Sequence, residues 1–400
     1  MHRRRFRRRL TNFIFIPLLS VIVAYVITRP TGGAGFTLPK AMQQASLSRP
    51  SNQQSEVLAT ATSSTNSPAR GTIASSSVTP SAASAAAPIL IGGYMLDDGP
   101  HAVAEAPEIV LHDAERNRDL HVRVFYPEEP GPYPVIVFSG DASGSPSCCD
   151  ALTRHWAGYG YVTLQLMGTE STPEPRNANE ETVSYLKADR GAPNEPAPWQ
   201  SSPREISFLL DSLATLQNRI PALAGKIDAD RIGVGGHSTG AFAADAIAGA
   251  LVDLPGHHAA SFADPRVQAV LLLSPQGPGE FGLTSNSWEN VKLPLLSITG
   301  SLDVGAGKQN PEWREIPFER SQPGDKYQVF IRGADHVSFI SAKTFSTARA
   351  AHYESILGYT NSAALAFWDA YLKADAKAKL YLQSSALPDF SHGAVKLTRR

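Results

Sequence analysis

Six short apolar runs recur between residues 134 and 332, and most of them are separated by stretches with helical character. The runs are Pro134–Ser139, Tyr161–Met167, Arg231–Gly235, Val267–Ser274, Pro294–Thr299 and Tyr327–Arg332. Short, nearly continuous apolar runs of this kind are typical of strands that are buried on both faces of a parallel sheet. A chain with this pattern must cover both faces of its sheet with other elements, which excludes all-helical and simple two-sheet folds.

Helical patterns lie between and after the runs, and a hairpin pattern precedes them. The predicted helices are Cys149–Gly158, Pro203–Gln217, Thr239–Leu251 and Ser362–Ala374. Glu108–His112 and Leu120–Tyr126 flank a polar turn and predict an antiparallel hairpin. The sequence therefore predicts an α/β fold with a mostly parallel central sheet, an antiparallel N-terminal hairpin and helices on both faces.

The first 28 residues have the pattern of a membrane signal. Six of the first nine residues are arginine, and residues 1–9 are predicted to form a basic cytoplasmic region. Residues 10–28 are predicted to be a signal anchor or a cleaved export signal, because the apolar run would rise about 27 Å as a helix, nearly the thickness of a bilayer core. Basic residues before such a run hold that end in the cytoplasm. We therefore expect the rest of the chain in the periplasm or at the cell surface, either membrane-anchored or, after cleavage, secreted.

Composition separates the remaining chain into a stalk, a domain and a tail. Residues 29–88 are rich in Ser, Ala, Thr and Pro and are predicted to be a disordered stalk. The folded domain is predicted over residues 89–385, with residues 386–400 as a C-terminal tail.

Without the six N-terminal arginines, 30 basic residues face 37 acidic ones, which argues against a nucleic-acid partner. The two cysteines, Cys148 and Cys149, are adjacent and predict neither a disulfide framework nor a four-thiolate zinc site.

A Gly-x-Ser-x-Gly motif joins one apolar run directly to a helical pattern. It reads Gly236-His237-Ser238-Thr239-Gly240, after RIGVG and before a helix rich in small residues. A nucleophilic serine on a sharp strand-to-helix turn needs glycine two residues to either side, because a Cβ atom there would clash with neighbouring backbone. The motif therefore predicts a nucleophile elbow with Ser238 as the nucleophile. His237 is predicted to pack structurally, since it neighbours the serine.

A serine nucleophile needs a base and a carboxylate that orients the base, and the sequence offers both after later strands. Asp303 follows the run PLLSIT, and His336 follows YQVFIR. Because the carboxyl ends of parallel strands share one edge of a sheet, these side chains can meet Ser238 there. We predict Ser238, His336 and Asp303 as a catalytic triad, with the neighbouring Asp335 in a turn role. We predict no metal site.

With these residues assembled, the chain resembles the α/β-hydrolase superfamily, in particular its branch of platelet-activating-factor acetylhydrolase-like and dienelactone-hydrolase-like esterases, which includes bacterial polyester hydrolases. The resemblance rests on LHVRVFYP, PYPVIVFSGDASGS, IDADRIGVGGHSTG, LLLSPQGPG, TGSLDVG and GADHVSF. It implies a serine hydrolase that acts on small-molecule or polymeric carboxylic esters without a metal or an organic cofactor. Ser238, Asp303 and His336 match the triad positions of the family.

One segment departs from the family pattern. Relatives usually carry F-S-H-G-x-G-G after the first central strand, whereas this chain has FSGDASG at residues 138–144. By position, the backbone N–H groups of Thr239 and Ala142 are the expected oxyanion-hole donors. An inward carboxylate at Asp141 would oppose a developing oxyanion, so we expect that side chain to turn outward.

Substrate choice is expected to come from loops over the same edge of the sheet. Gln276, Trp288 and Trp199 are candidate pocket residues, and short-chain or aromatic esters are the expected substrates by resemblance. Two alternatives stay open on the sequence alone. The same triad would serve an envelope acyltransferase, and the altered oxyanion loop would also suit a catalytically inactive binding protein.

Overall fold

The computed structural model describes residues 90–91, 94–95, 99–140, 149–167, 198–340 and 347–400. Contacts divide the chain into two units, residues 1–81 and 82–400, and the whole first unit lies outside the described residues. The predicted cytoplasmic region, the signal anchor and the stalk up to residue 88 also lie outside them, as do Asp141, Ala142 and Cys148. Among the helices of the described residues, none combines the length and the apolar character needed to cross a membrane.

Thirteen strands lie within the described part of the chain. They are β1 (Leu90–Ile91), β2 (Tyr94–Met95), β3 (Val103–Asp113), β4 (Arg118–Pro127), β5 (Tyr133–Ser139), β6 (Val162–Met167), β7 (Ile227–His237), β8 (Val252–Leu254), β9 (His257–Ala260), β10 (Val267–Leu273), β11 (Leu295–Gly300), β12 (Lys326–Ile331) and β13 (Val395–Arg399). All six apolar runs of the sequence form strands, with bounds that shift by one residue in most cases and by several in β7.

Nine of these strands form a central sheet in the order β13-β12-β11-β10-β7-β5-β6-β4-β3. The six strands from β12 to β6 in this order run parallel to one another. β3 and β4 form the predicted antiparallel hairpin, and β4 pairs antiparallel with β6. The described fold is therefore mixed α/β with a mostly parallel central sheet.

Eight α-helices accompany the sheet in the described residues. They are α1 (Asp150–Gly158), α2 (Ser202–Asp211), α3 (Leu213–Arg219), α4 (Thr239–Ile247), α5 (Ile316–Arg320), α6 (Thr347–Leu372), α7 (Ala376–Gln383) and α8 (Ala386–Phe390). The predicted helix over Pro203–Gln217 is divided between α2 and α3 at Ser212, and the predicted helix at Ser362 begins fifteen residues earlier, at Thr347.

Helices cover both faces of the sheet, as the alternation of its side chains shows. Val135 and Val137 of β5 lie in one buried cluster with the apolar residues of α2, α3 and α4. Ile136 and Phe138 of the same strand lie in a second cluster with those of α1, α6 and α7. Because successive side chains of a strand point to opposite faces, these two clusters are the two layers of the core.

The predicted tail at residues 386–400 is wrong, because these residues extend the domain. α8 lies at Ala386–Phe390, and β13 pairs antiparallel with β12 over five residues, from Val395 opposite Ile331 to Arg399 opposite Tyr327. Val395 and Leu397 alternate with polar residues, as in an edge strand with one covered face. Over only five residues, this alternation is a weak indication of a strand. Val395 is 2% exposed, so the strand closes this side of the core.

Replacing Val395 with Asp should lower the free energy of unfolding by about 2–4 kcal/mol, because it buries a carboxylate without a partner. Lys396→Ser, at an exposed position of the same strand, should change it by no more than about 0.5 kcal/mol. Urea unfolding followed by tryptophan fluorescence measures both values. Equal effects of the two substitutions would contradict the pairing of β13 with the domain.

Candidate active site

Ser238 stands alone between the last residue of β7 and the first residue of α4. Its backbone has φ 56° and ψ −120°, a conformation that residues other than glycine rarely adopt. A Cβ atom at Gly236 would overlap the carbonyl of Gly240, and one at Gly240 would overlap the carbonyls of Ser139 and Gly140. Gly236 is therefore required by the tightness of the turn itself, and Gly240 by its packing against the end of β5.

The three residues of the predicted triad lie in one hydrogen-bonded chain. Ser238 Oγ lies 2.9 Å from His336 Nε2, and His336 Nδ1 lies 3.1 Å from Asp303 Oδ1. With the imidazole proton on Nδ1, Ser238 donates to Nε2 and Nδ1–H donates to the carboxylate. Ser238 and Asp303 have no exposed surface, whereas the His336 side chain is 20% exposed. This arrangement can move a proton from a serine hydroxyl to an imidazole that a carboxylate orients.

Three further side chains hold the Asp303 carboxylate. Oδ1 accepts a hydrogen bond from Ser274 Oγ at 2.9 Å and lies 2.8 Å from Arg314 Nε. Oδ2 accepts from Thr299 Oγ1 at 2.8 Å. Burial by itself would raise the pKa of Asp303, but the Arg314 charge and the hydrogen bonds outweigh it and hold the pKa well below its usual range. The carboxylate is therefore ionised at neutral pH although it is fully buried.

Ser274 and Arg314 belong to the site but are not among the residues that the sequence predicts for it. Ser274 comes directly after β10, and β10 lies between β7 and β11 in the sheet, so the strand-end argument that selected Asp303 and His336 also selects Ser274. Arg314 lies in a short 3-10 helix, Pro311–Glu315, within a polar connection. No local pattern distinguishes this arginine from a solvated one, so only its 3% exposure reveals it.

His237 packs beside the triad, as the sequence predicts. Its ring is fully buried, its centroid lies 4.8 Å from that of His336, and its Nε2 donates to the His336 carbonyl at 2.7 Å. Burial, aided by the neighbouring His336, lowers the pKa of His237 to about 3. The ring is therefore uncharged at neutral pH, and its role is to hold the backbone of His336.

Asp335 has the turn role that the sequence predicts. Its backbone N–H donates to Ser338 Oγ, and its carboxylate accepts hydrogen bonds from Ser338 Oγ and the Tyr353 hydroxyl. These bonds fix the segment that carries His336. The carboxylate is committed to them and takes no part in the chain that joins Asp303 to Ser238.

The three predicted pocket residues lie in different surroundings. Trp288 has no exposed surface, and its indole N–H donates to Asp245 Oδ2 at 2.6 Å, so we assign it to the core instead of a pocket wall. Trp199 is half-buried and lies 5.7 Å, ring to ring, from both Phe242 and Phe281. Gln276 is 1% exposed and follows β10 by three residues.

One of the two predicted oxyanion donors lies in the described structure. Thr239 is the first residue of α4, where backbone N–H groups have no carbonyl partner within the helix. Its N–H is thus available to an oxygen bound near Ser238. Ala142, the second predicted donor, lies outside the described residues and stays a prediction. Within the described ranges, no group of three or more His, Cys, Asp or Glu side chains is arranged to hold a metal ion.

No protein-family model matches this chain, and no curated protein matches it. A function for this chain is therefore inferred from the residues that meet at the carboxyl edge of the sheet. The decisive ones are Ser238, His336 and Asp303, which come from the ends of β7, β12 and β11.

Gly240→Ala should lower the free energy of unfolding by roughly 3 kcal/mol or more, because the new methyl group overlaps two backbone carbonyls that no rotamer change can move. Gly256→Ala is the matched control. Unlike Gly240, Gly256 has a positive φ, of 78°, but nothing lies within 4 Å of its Cβ position, so that change should cost only about 1–2 kcal/mol. Thermal unfolding measures the loss of stability in each of the two variants. Equal losses would contradict the packing of the elbow against β5.

Asp245→Asn should remove a pH dependence of stability. Burial raises the pKa of Asp245 to about 7, although the Trp288 N–H opposes the shift. In the unfolded chain, the same carboxyl has a pKa of about 4. The folded state thus holds a proton that the unfolded state releases, and stability falls as the pH rises from about 4 to 7. The advantage of the Asn variant over the wild type should grow across that interval, by on the order of 4 kcal/mol.

Urea unfolding of both proteins at several pH values between 4 and 8 tests this expectation. Asp230→Asn, at an exposed position of β7, is the control and should follow the wild type at every pH. Parallel curves for the wild type and Asp245→Asn would refute the raised pKa.

Proposed function

We propose that this protein is a serine hydrolase that cleaves carboxylic esters through an acyl-enzyme intermediate. The observation that carries the proposal is the hydrogen-bonded chain from Ser238 Oγ through His336 to the buried Asp303 carboxylate. A serine with a strained backbone at the N-terminus of a helix, next to an imidazole and an ionised carboxylate, is the arrangement that nucleophilic acyl transfer requires. The resemblance to the esterase branch of the α/β-hydrolases supports the same function.

In the first half of the reaction, His336 Nε2 takes the proton of Ser238 while Oγ attacks the ester carbonyl carbon. The carbonyl oxygen becomes an oxyanion, which the Thr239 N–H and the predicted Ala142 N–H bind. Asp303 keeps the imidazole proton on Nδ1 and stabilises the imidazolium. His336 then gives the proton to the departing alcohol, which leaves an acyl group on Ser238.

In the second half, water replaces the alcohol. His336 removes a proton from the water molecule, whose oxygen attacks the acyl-enzyme carbonyl. The tetrahedral intermediate collapses, His336 returns the proton to Ser238 Oγ, and the carboxylic acid leaves. Every proton in this scheme passes through His336 Nε2, which lies within hydrogen-bond distance of the serine oxygen.

The substrate and the location of the enzyme follow from the sequence. We infer small-molecule or polymeric esters with short-chain or aromatic groups, on the resemblance to the esterase branch. The predicted N-terminal signal places the hydrolase domain on the non-cytoplasmic side of a membrane. No cofactor enters the proposed reaction.

Ser238→Ala should abolish covalent labelling by a fluorophosphonate and lower kcat for p-nitrophenyl butyrate by about 10⁴-fold or more. His336→Ala should have a comparable effect, because the serine then lacks its base. The matched control is Ser297→Ala, which changes another fully buried serine of the same sheet. This control should keep both labelling and turnover.

The intact mass of the labelled protein and its tryptic map locate the modified residue. A folded wild-type protein that neither reacts with the fluorophosphonate nor turns over the ester would overturn the proposal. Labelling that persists in Ser238→Ala would overturn the assignment of the nucleophile.

A further inference from the structure

We propose that Arg314 is a positioning residue of the triad, whose guanidinium fixes the Asp303 carboxylate and the Ser274 segment that together orient His336. The proposal rests on the proposed hydrolase function. Arginine at this place is not part of the Ser-His-Asp pattern, and it comes from a different element than any of the three triad residues.

Every nitrogen of the Arg314 guanidinium faces a polar atom near the triad. Nε lies 2.8 Å from the Asp303 Oδ1 atom and 3.0 Å from the Asp303 carbonyl oxygen. Nη1 donates to the carbonyls of Ser274 and Pro275, both at 2.9 Å, and Nη2 lies 3.4 Å from the Val304 carbonyl. The planar fork therefore joins the segment after β10 to the segment after β11. A lysine ammonium can replace the charge but not this set of directions.

Arg314 also fixes a bridge between the carboxylate and the base. It holds the Ser274 carbonyl, while Ser274 Oγ lies 2.9 Å from Asp303 Oδ1 and 2.7 Å from His336 Nδ1. The hydroxyl can donate to the carboxylate and, together with Asp303 Oδ1, accept the single Nδ1–H in a three-centre hydrogen bond. Ser274 has a positive φ, of 53°, which a serine keeps only when its surroundings hold it.

The charge of Arg314 acts on the carboxylate that it fixes. Its Nε lies 2.8 Å from Asp303 Oδ1, and its side chain is 4% exposed, so water screens the charge poorly. This charge helps to hold the pKa of the buried Asp303 carboxyl below its usual range. Without Arg314, the carboxyl would move toward its neutral form and would orient the His336 imidazole less firmly.

The titratable groups of the neighbouring segments are engaged elsewhere. His237 is uncharged at neutral pH, the Asp335 carboxylate accepts hydrogen bonds from Ser338 and Tyr353, and His352 on α6 lies at the Gly333 carbonyl. Among the described residues, Arg314 is the one arginine or lysine that forms an ion pair with Asp303.

The test compares kcat, KM and the fluorophosphonate labelling rate of Arg314→Met and Arg314→Lys with those of the wild type. Arg314→Met removes the charge and the hydrogen bonds, so kcat should fall by about 10- to 100-fold. KM should stay nearly unchanged, since Arg314 is 3% exposed and acts through Asp303. Arg314→Lys keeps the charge but not the directions of the planar fork, so it should recover only part of the loss.

Arg320→Met is the matched control, because Arg320 is exposed and ends α5, six residues after Arg314. It should leave kcat and KM unchanged. A folded Arg314→Met variant with wild-type kcat, or one whose loss lies in KM, would overturn the positioning role. An Arg314→Lys variant with wild-type kcat would overturn the need for the guanidinium fork, even if the Met variant fails to fold.

A second readout separates this proposal from the hydrolase function. In NMR of protein with ¹³Cε1-labelled histidine, the His336 signal is identified by its loss in His336→Gln. At a fixed pH, this signal should shift in Arg314→Met and stay in place in Arg320→Met, whether or not the protein hydrolyses the ester tested. Wild-type labelling and turnover that disappear in Ser238→Ala, together with an unmoved His336 signal in Arg314→Met, would overturn the role of Arg314 alone.

Discussion

The buried carboxylate of Asp303 is the group on which the arrangement of the site depends. An ionised carboxylate without exposed surface carries a desolvation cost that only charges and hydrogen bonds around it can offset. Here the donors come from four places in the fold: Ser274 after β10, Thr299 within β11, Arg314 in a 3-10 helix and His336 after β12. Because each donor needs the same anion, the carboxylate fixes where these segments meet.

The sheet itself supplies the second constraint. Ser238 and Ser274 both have a φ near 55° and both come directly after neighbouring parallel strands. The Ser238 N–H donates to the carbonyl of Leu273 at the end of β10, and the Ser274 N–H donates to the carbonyl of Ile298 within β11. Each strained serine is thus held by the backbone of the next strand. Strain of this kind persists only where surrounding structure determines the conformation, which the buried edge of the sheet does.

Much of this fold follows from local patterns, and the exceptions share a physical cause. The six apolar runs predict strands because a strand buried on both faces must be apolar throughout. Ser238, Asp303 and His336 could be selected because a motif and the strand-end rule place them at one edge. The sequence does not identify β13 because an edge strand is defined by its partner β12, which lies more than sixty residues earlier. The role of Arg314 escapes prediction for a similar reason, since the carbonyls that its guanidinium binds lie 10 to 40 residues earlier in the chain.

Two buried aspartates of this domain show why Arg314 matters to the proposed chemistry. Asp245 is fully buried with one neutral donor, Trp288 Nε1, and no partner for Oδ1, and its pKa rises to about 7. Asp303 is equally buried, but with Arg314 beside it the pKa falls below its usual range. Burial alone thus moves a carboxyl toward its neutral form, and a neutral acid would give the imidazolium of His336 little stabilisation. The arginine therefore keeps the anion that orients the base. Holding the carboxylate in a dry site and keeping it charged beside His336 are consequences of one and the same ion pair.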